Sequence, residues 1–327
     1  MGAQRNPPMP VTVIGGYLGA GKTTLVNHLL RHAGGRRLAV LVNDFGALPI
    51  DADLIEADDG EVLSLAGGCI CCSFGSDLMD ALMKLPARRP RPDQVLVEAS
   101  GVALPGAVAA SLALLSEVAL DAVVVLADAE TVRAHAADRY LADTIARQLR
   151  AADLVILNKL DLVAPQAQAA LHAWLETMAP GAKLLDARRA QLPLEAVLGV
   201  ELGARGGAPV GSLRSGALQP PPTVVADALF EHVEIAVEQS VDGRGLATAL
   251  ADPALGVVRA KGILRDRDGT SIVLHVVGAR SGIEPRAVAD VVPGRLVCIG
   301  LKGRLDRAAL RATLDRATRT ATNLKEC

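Results

Sequence analysis

The chain has 327 residues, half of them hydrophobic (50%) but only 2% aromatic, and 34 Lys and Arg stand against 36 Asp and Glu. That length suits one large or two ordinary domains with ample material for a core built from Ala, Val, Leu and Ile. The scarcity of base-stacking rings and a net charge of -2 argue against a nucleic-acid partner. They name no strongly charged surface as a partner either.

The membrane reading fails on length. The apolar stretch Val102 to Ser116 is interrupted by Pro105 and Gly106 and stops at Glu117, short of the roughly 20 apolar residues of a spanning helix. Residues 1–16 lack the apolar run of a secretory signal, so the expected compartment is the cytoplasm. Five cysteines, an odd number in a reducing compartment, speak for metal or redox chemistry rather than a disulfide framework.

In chain order, the first apolar run, Val11–Ile14, reads as a buried strand. It leads into Gly16-Tyr17-Leu18-Gly19-Ala20-Gly21-Lys22-Thr23 and then a helical stretch, Thr23–His32. This is G-x-x-x-x-G-K-[ST] in the strand–loop–helix context that the motif requires. The residues Gly16, Gly19, Ala20 and Gly21 let successive amides converge on phosphate, and Thr24 continues into the helix whose dipole supports the anion. Lys22 would reach the β- and γ-phosphates, and the Thr23 hydroxyl would bind Mg²⁺.

A second strand, Leu38–Val42, runs into Asn43-Asp44-Phe45-Gly46. A short apolar run, Val62–Leu65, precedes Gly67-Gly68-Cys69-Ile70-Cys71-Cys72. Three thiols within four residues can supply two or three thiolates to a tetrahedral ion, leaving a ligand position open. Vicinal-thiol redox chemistry is the main rival reading. A helix is expected over Ser76–Leu85.

The next strands, Val95–Val97 and Ala122–Leu126, run on into the carboxylates Glu98 and Asp128. Both ends project from the sheet edge where nucleotides bind in α/β folds, so either acid could serve Mg²⁺ through water. Glu98 is favoured because Ser100-Gly101 follows, and the Gly101 amide could approach the γ-phosphate. Asp128 could instead cap the helix that begins near Thr131. A helix over Thr144–Ala151 leads to strand Leu154–Leu157 and then Asn158-Lys159-Leu160-Asp161. This N-K-x-D pattern resembles the guanine-recognition motif of P-loop GTPases. There the Asp accepts from the guanine ring N–H and exocyclic amine, the Asn supports the loop, and the Lys stem covers the base. A helix over Pro165–Met178 follows.

Strands alternating with helices predict an α/β fold with a mostly parallel sheet over residues 1–202. Residues 203–222, rich in Gly, Pro and Ser, read as a linker. From 223 to 327 the pattern becomes that of a smaller α+β domain. Strands are expected over His232–Val237, Val257–Leu264, Ser271–Val277 and Leu296–Ile299, with helices over Gly245–Ala251 and Asp306–Thr318. Cys298, inside a strand, reads as a small buried hydrophobe, and Cys327 gets no role.

The stretches GGYLGAGKTTLVNHLL, VNDFG, GGCICC, VEASG and NKLDLV occur in the order found in the CobW-type family of P-loop GTPases, and the chain resembles that family over nearly its whole length. The later Arg259-Ala260-Lys261-Gly262 and IGLKGRLDRAAL look like its C-terminal domain. Related GTPases serve nickel insertion into hydrogenase and urease. The resemblance implies a GTP-hydrolysing metallochaperone that binds GTP or GDP, Mg²⁺ and a transition metal, zinc or cobalt, and delivers the metal to a client metalloprotein or cofactor pathway. By motif, Lys22, Thr23 and Glu98 would serve phosphate and Mg²⁺, Asn158, Lys159 and Asp161 guanine, and Cys69, Cys71 and Cys72 the metal. Where the family has N-E-F-G, Asp44 is one methylene shorter. It is a candidate catalytic acid whose reach, to Mg²⁺ or to water, stays open. No His-rich tract is present, and His28 and His32, at i and i+4, read as a helix face. The alternatives are a GTP-dependent switch with a structural zinc site and a vicinal-thiol sensor. Client and oligomeric state are not legible.

Overall fold

A computed structural model describes residues 7–43, 61–65, 77–199, 230–286 and 294–323. The chain divides into two compact units: Met1–Leu198 with Val277–Ala279, and Gly199–Val276 with Arg280–Cys327. The expected linker, residues 203–222, lies outside the described residues.

The first unit holds seven strands: β1 (Met9–Gly16), β2 (Leu38–Asn43), β3 (Glu61–Leu65), β4 (Gln94–Ala99), β5 (Val118–Asp128), β6 (Leu154–Asn158) and β7 (Lys183–Asp186). They form one sheet in the order β3-β2-β4-β1-β5-β6-β7, and every recorded pairing within it is parallel. The predicted parallel α/β class is what is found. β4 and β6 are buried along their whole length, as strands covered on both faces should be. One polar cluster is admitted among them. Gln94 Nε2 donates to Thr12 Oγ1 (2.9 Å) and Asp121 Oδ2 (3.0 Å), and the Thr12 hydroxyl donates to the same carboxylate (3.1 Å). Tying β4, β1 and β5 together this way favours one register, because a slip would orphan buried polar groups.

The helices among the described residues are α1 (Lys22–Arg31), α2 (Asp77–Lys84), α3 (Pro105–Leu112), α4 (Val132–Ala137), α5 (Ala142–Arg150), α6 (Pro165–Met178) and α7 (Leu194–Leu198). Leu78 and Leu82 of α2, with Val108 and Leu112 of α3, join Val11, Val13, Leu41 and Val97 in one apolar cluster. Ile145 and Leu149 of α5, with Leu171 and Leu175 of α6, join Val123, Val125, Val155 and Leu157 in another. α3, α7 and β7 are additions to the predicted elements, whereas α4 is the helix expected to begin near Thr131. β5 also starts four residues before its apolar core, at Val118. Chain order reverses at β1: β2, β3 and β4 lie to one side and β5, β6 and β7 to the other. The crevice at such a switch point, outside the strands' carboxyl ends, is where α/β sheets bind ligands.

The second unit carries β8 (Phe230–Val237), β9 (Val257–Arg265), β10 (Ser271–Val277), β11 (Arg280–Pro285) and β12 (Gly294–Leu301) in the order β11-β10-β9-β12-β8. β12 runs antiparallel to both of its neighbours. α8 (Gly243–Leu250) and α9 (Arg307–Asn323) supply Leu246, Leu250, Leu310 and Leu314 to a core shared with Leu264, Leu274, Val276, Leu296 and Cys298. Asp242 caps α8 by accepting from Gly245 N (3.0 Å), and Asp306 does the same for α9 at Ala309 N (2.9 Å). Burial pushes the Cys298 thiol up to about 12, so it behaves as a small hydrophobe. β11 had no sequence signal strong enough to predict.

Candidate functional site

The loop between β1 and α1 carries the phosphate-cradle motif, and its glycines are there for space. Gly16 has φ 127°, and a Cβ on it would sit 2.3 Å from the Leu126 carbonyl oxygen. Gly21, the residue before α1, has φ 102°, and a Cβ there would lie 2.5 Å from Asn158 Nδ2. No other residue type fits either position without moving its neighbour. Lys22 is 7% exposed, with Nζ 3.4 Å from the Tyr17 carbonyl oxygen, so its ammonium curls back over the loop. Gly19 and Thr24 are exposed, whereas Ala20 is buried.

Glu98 and Asp128 have different surroundings. Glu98, 2% exposed, accepts a hydrogen bond from the Thr23 hydroxyl at 2.9 Å. Asp128 is engaged elsewhere: Oδ2 pairs with Lys159 Nζ at 2.6 Å and Oδ1 accepts from Glu130 N at 2.9 Å. The all-oxygen pair of Thr23 and Glu98 beside a phosphate cradle fits a hard divalent cation such as Mg²⁺. Asp128 closes a local turn and neutralises Lys159.

The Asn158–Asp161 segment leaves the end of β6. Asn158 is 2% exposed, and both ends of its amide are engaged. Nδ2 donates to the Ala20 carbonyl (2.9 Å) and Oδ1 accepts from Ala190 N (2.8 Å). It therefore joins the phosphate loop to the turn after β7. Lys159 has φ 60° and starts a single 3₁₀ turn, Leu160–Leu162, on which the Asp161 side chain is exposed.

Two parts of this region were not predicted. The first is the turn after β7, where Arg189 (φ 51°) and Ala190 (φ 54°) are both left-handed and Gln191 N donates to the Arg188 carbonyl at 3.0 Å. A non-glycine pair in that region is strained, and the Ala190–Asn158 bond is one compensation. The second is Gln148 on α5, 2% exposed, which donates to the Gly101 (3.0 Å) and Ala103 (2.8 Å) carbonyls. Its signal was available: a lone amide at i+3 from Ile145, on a face that Leu149 continues.

His28 is 7% exposed, with Nε2 2.8 Å from the Leu192 carbonyl, and His32 Nδ1 lies 2.7 Å from the His28 carbonyl. Burial, then the charges of His32 and Arg31, lower the His28 pKa despite its bond to Leu192. The pair is thus used in helix and loop contacts. Among the described residues, no group of three or more His, Cys, Asp or Glu side chains is gathered for a metal ion. Cys69, Cys71, Cys72 and Asp44 lie outside the described residues. The strands on which their segments follow are described: Leu65 at the end of β3 pairs with Asn43 at the end of β2, which pairs with Ala99 beside Glu98.

A parallel sheet with a glycine-rich loop at its switch point, a Thr hydroxyl bonded to a buried Glu and an exposed Asp after β6 defines a P-loop nucleotide-binding domain. The chain belongs to the CobW/HypB/UreG family, whose nucleotide-binding domain matches residues 10–186, with the cobalamin synthesis protein CobW C-terminal domain matching residues 230–318. A Pseudomonas aeruginosa protein named zinc chaperone CobW is 37% identical over 60% of this chain, and the match spans 61% of that relative's length. A Sinorhizobium protein of the same name is 29% identical over 80% of this chain and 79% of its own. A Schizosaccharomyces pombe protein named zinc-regulated GTPase metalloprotein activator 1 is 36% identical over 49% and 41%. Among solved structures, Zn(II)-bound YjiA GTPase from Escherichia coli covers 95% of this chain and 99% of its own at 22% identity, with a TM-score of 0.41. No helix among the described residues is long and apolar enough to cross a membrane.

Proposed function

We propose that this protein is a GTP-hydrolysing metallochaperone with a GTPase domain at residues 1–202 and a CobW-type domain at 223–327. Its cargo is a transition metal, zinc first and cobalt second, held by Cys69, Cys71 and Cys72 and handed to a client metalloprotein in the cytoplasm. The observation that carries this reading is the shared sheet edge. The phosphate loop, the Thr23–Glu98 pair and the end of β3, four residues before Cys69, all lie along the strands' carboxyl ends. Membership of a family with relatives named zinc chaperones supports the choice of cargo.

In this reading Lys22 and the amides of residues 16–24 bind the β- and γ-phosphates. Thr23 and Glu98 hold Mg²⁺, which when bound offsets phosphate charge. The exposed Asp161 carboxylate reads guanine, and Asn158 braces the loop rather than touching the base. The Gly101 amide faces the γ-phosphate, while Asp44 is the acid of the neighbouring switch loop. Because the thiol segment follows a strand two places from β4, γ-phosphate at that edge would bias the metal site, and linkage makes the effect reciprocal.

The test is a zinc titration of reduced protein with a non-hydrolysable GTP analogue, with GDP and with no nucleotide, repeated for Cys71→Ser. Nucleotide-dependent affinity in the wild type, with metal binding weakened and GDP binding spared in the variant, is the expected result. Equal metal affinity in all three nucleotide states removes the coupling. Zinc that resists chelation whatever the nucleotide points to a structural site instead.

A further inference from the structure

The segment after β4 is a tight turn: Ala103 N donates to the Ser100 carbonyl at 3.0 Å. Ser100, Gly101 and Ala103 are buried. The Gly101 Cα lies against the phosphate loop, since a Cβ there would be 2.7 Å from the Leu18 backbone nitrogen and 2.5 Å from Leu18 Cδ2. Gly101 and Val102, the central residues, both keep negative φ, and neither of their amides donates to a protein group among the described residues. These are two amide donors without acceptors, on a turn that touches the loop built for phosphates.

What holds this turn comes from another helix. The carboxamide of Gln148 donates to the carbonyls of Gly101 and Ala103, one on each side of Val102, at 3.0 and 2.8 Å. The Gly101 carbonyl and the Val102 amide belong to one peptide plane and point in opposite directions. Holding the carbonyl toward α5 therefore turns the Val102 amide away from it. Val102 adds a second restraint, because flipping that peptide into a type II turn would demand positive φ of a β-branched residue. Gln148 also borders a small cavity lined in part by Tyr17, Leu18, Asp128 and His135.

We propose that Gln148 is a positioning residue for γ-phosphate recognition: its clamp on the Gly101 and Ala103 carbonyls presents the Gly101 and Val102 amides to the terminal phosphate. It makes the turn specific for a nucleoside triphosphate over the diphosphate, and α5 becomes the element that feels the difference. The inference rests on the reading of the phosphate loop as a GTP site. Nothing about Gln148 concerns the β-phosphate or the base, which are served by Gly16–Thr24 and Asp161. Its loss should thus leave GDP binding alone.

The experiment measures the affinity of a non-hydrolysable GTP analogue and of GDP, both with Mg²⁺, for wild type, Gln148→Met and Gln148→Glu. Met keeps the length and apolar packing of the chain without a donor, and Glu keeps the shape while its carboxylate repels both carbonyls. The expected result is roughly a tenfold loss of analogue affinity in each variant, the scale of one charge-assisted hydrogen bond, with GDP affinity unchanged. Equal losses for analogue and GDP, or no loss for either in a folded variant, overturn the assignment. Should one variant fail to fold by circular dichroism, the other decides. Wild-type protein that binds neither nucleotide would instead overturn the reading of the loop as a GTP site.

Discussion

Asn158→Ala should destabilise the nucleotide-free protein, although the residue sits in a motif associated with base recognition. The substitution deletes the acceptor of the Ala190 amide and the donor to the Ala20 carbonyl, both made at 2.8–2.9 Å. Ala20 is 1% exposed and Ala190 is fully buried, so each partner is left without a bond out of reach of bulk water. A buried polar group orphaned in this way costs about 1–3 kcal/mol. Water entering the vacated volume returns part of the sum, and the expected loss is about 2–4 kcal/mol. Trp174 is the sole tryptophan and lies on α6, packed against the core of the same unit, so urea unfolding followed by its fluorescence reports the right unit. Asp161→Ala is the control: its carboxylate is exposed, and the change should cost no more than about 0.5 kcal/mol while relaxing the preference for GTP over ATP. A loss below about 0.5 kcal/mol for Asn158→Ala, or equal losses for the two variants, would refute the bracing role.

The contrast between these two residues shows where sequence stops being informative. The parallel fold was legible because β1, β4 and β6 are short β-branched runs, and a strand apolar on both faces has one environment to occupy. The phosphate loop was legible because its glycines answer to steric limits a Cβ would violate, at Gly16 against Leu126 and at Gly21 against Asn158. Neither the pairing of Asn158 with Ala190 nor that of Gln148 with Gly101 could be read this way. Each joins residues 32 or 47 positions apart through a side chain whose partner is a backbone group, and backbone groups are the same at every position. Glu98 was favoured over Asp128 only on the Ser100-Gly101 that follows it, since both acids end strands at one edge. What each carboxylate touches, Thr23 in one case and Lys159 in the other, adds a contrast that the sequence does not carry. β7 and β11 were missed because a four-residue edge strand and a half-exposed one lack the burial that makes periodicity visible.

Glu98→Gln keeps an oxygen acceptor for the Thr23 hydroxyl and removes the charge. GTP turnover with Mg²⁺ should therefore fall about 100-fold, while GDP binding without Mg²⁺ stays near wild type. Unchanged turnover would transfer the role to Asp128, testable as Asp128→Asn. The pH dependence of stability should carry the signature of His172. Burial lowers its pKa, but the hydrogen bonds that the ring donates to Asp186 and the Gln168 carbonyl, with the charges of Asp186 and Glu176, outweigh it and the net shift from 6.5 is upward. The Asp186 contact is 2.6 Å. A pKa raised by folding contributes stability that is complete below the unfolded value and disappears as pH rises through the folded one. The stability difference between wild type and His172→Gln, read from urea midpoints, should therefore be larger at about pH 5.5 than at about pH 8.5. A difference that grows with pH would mean that burial, not Asp186, governs the imidazole.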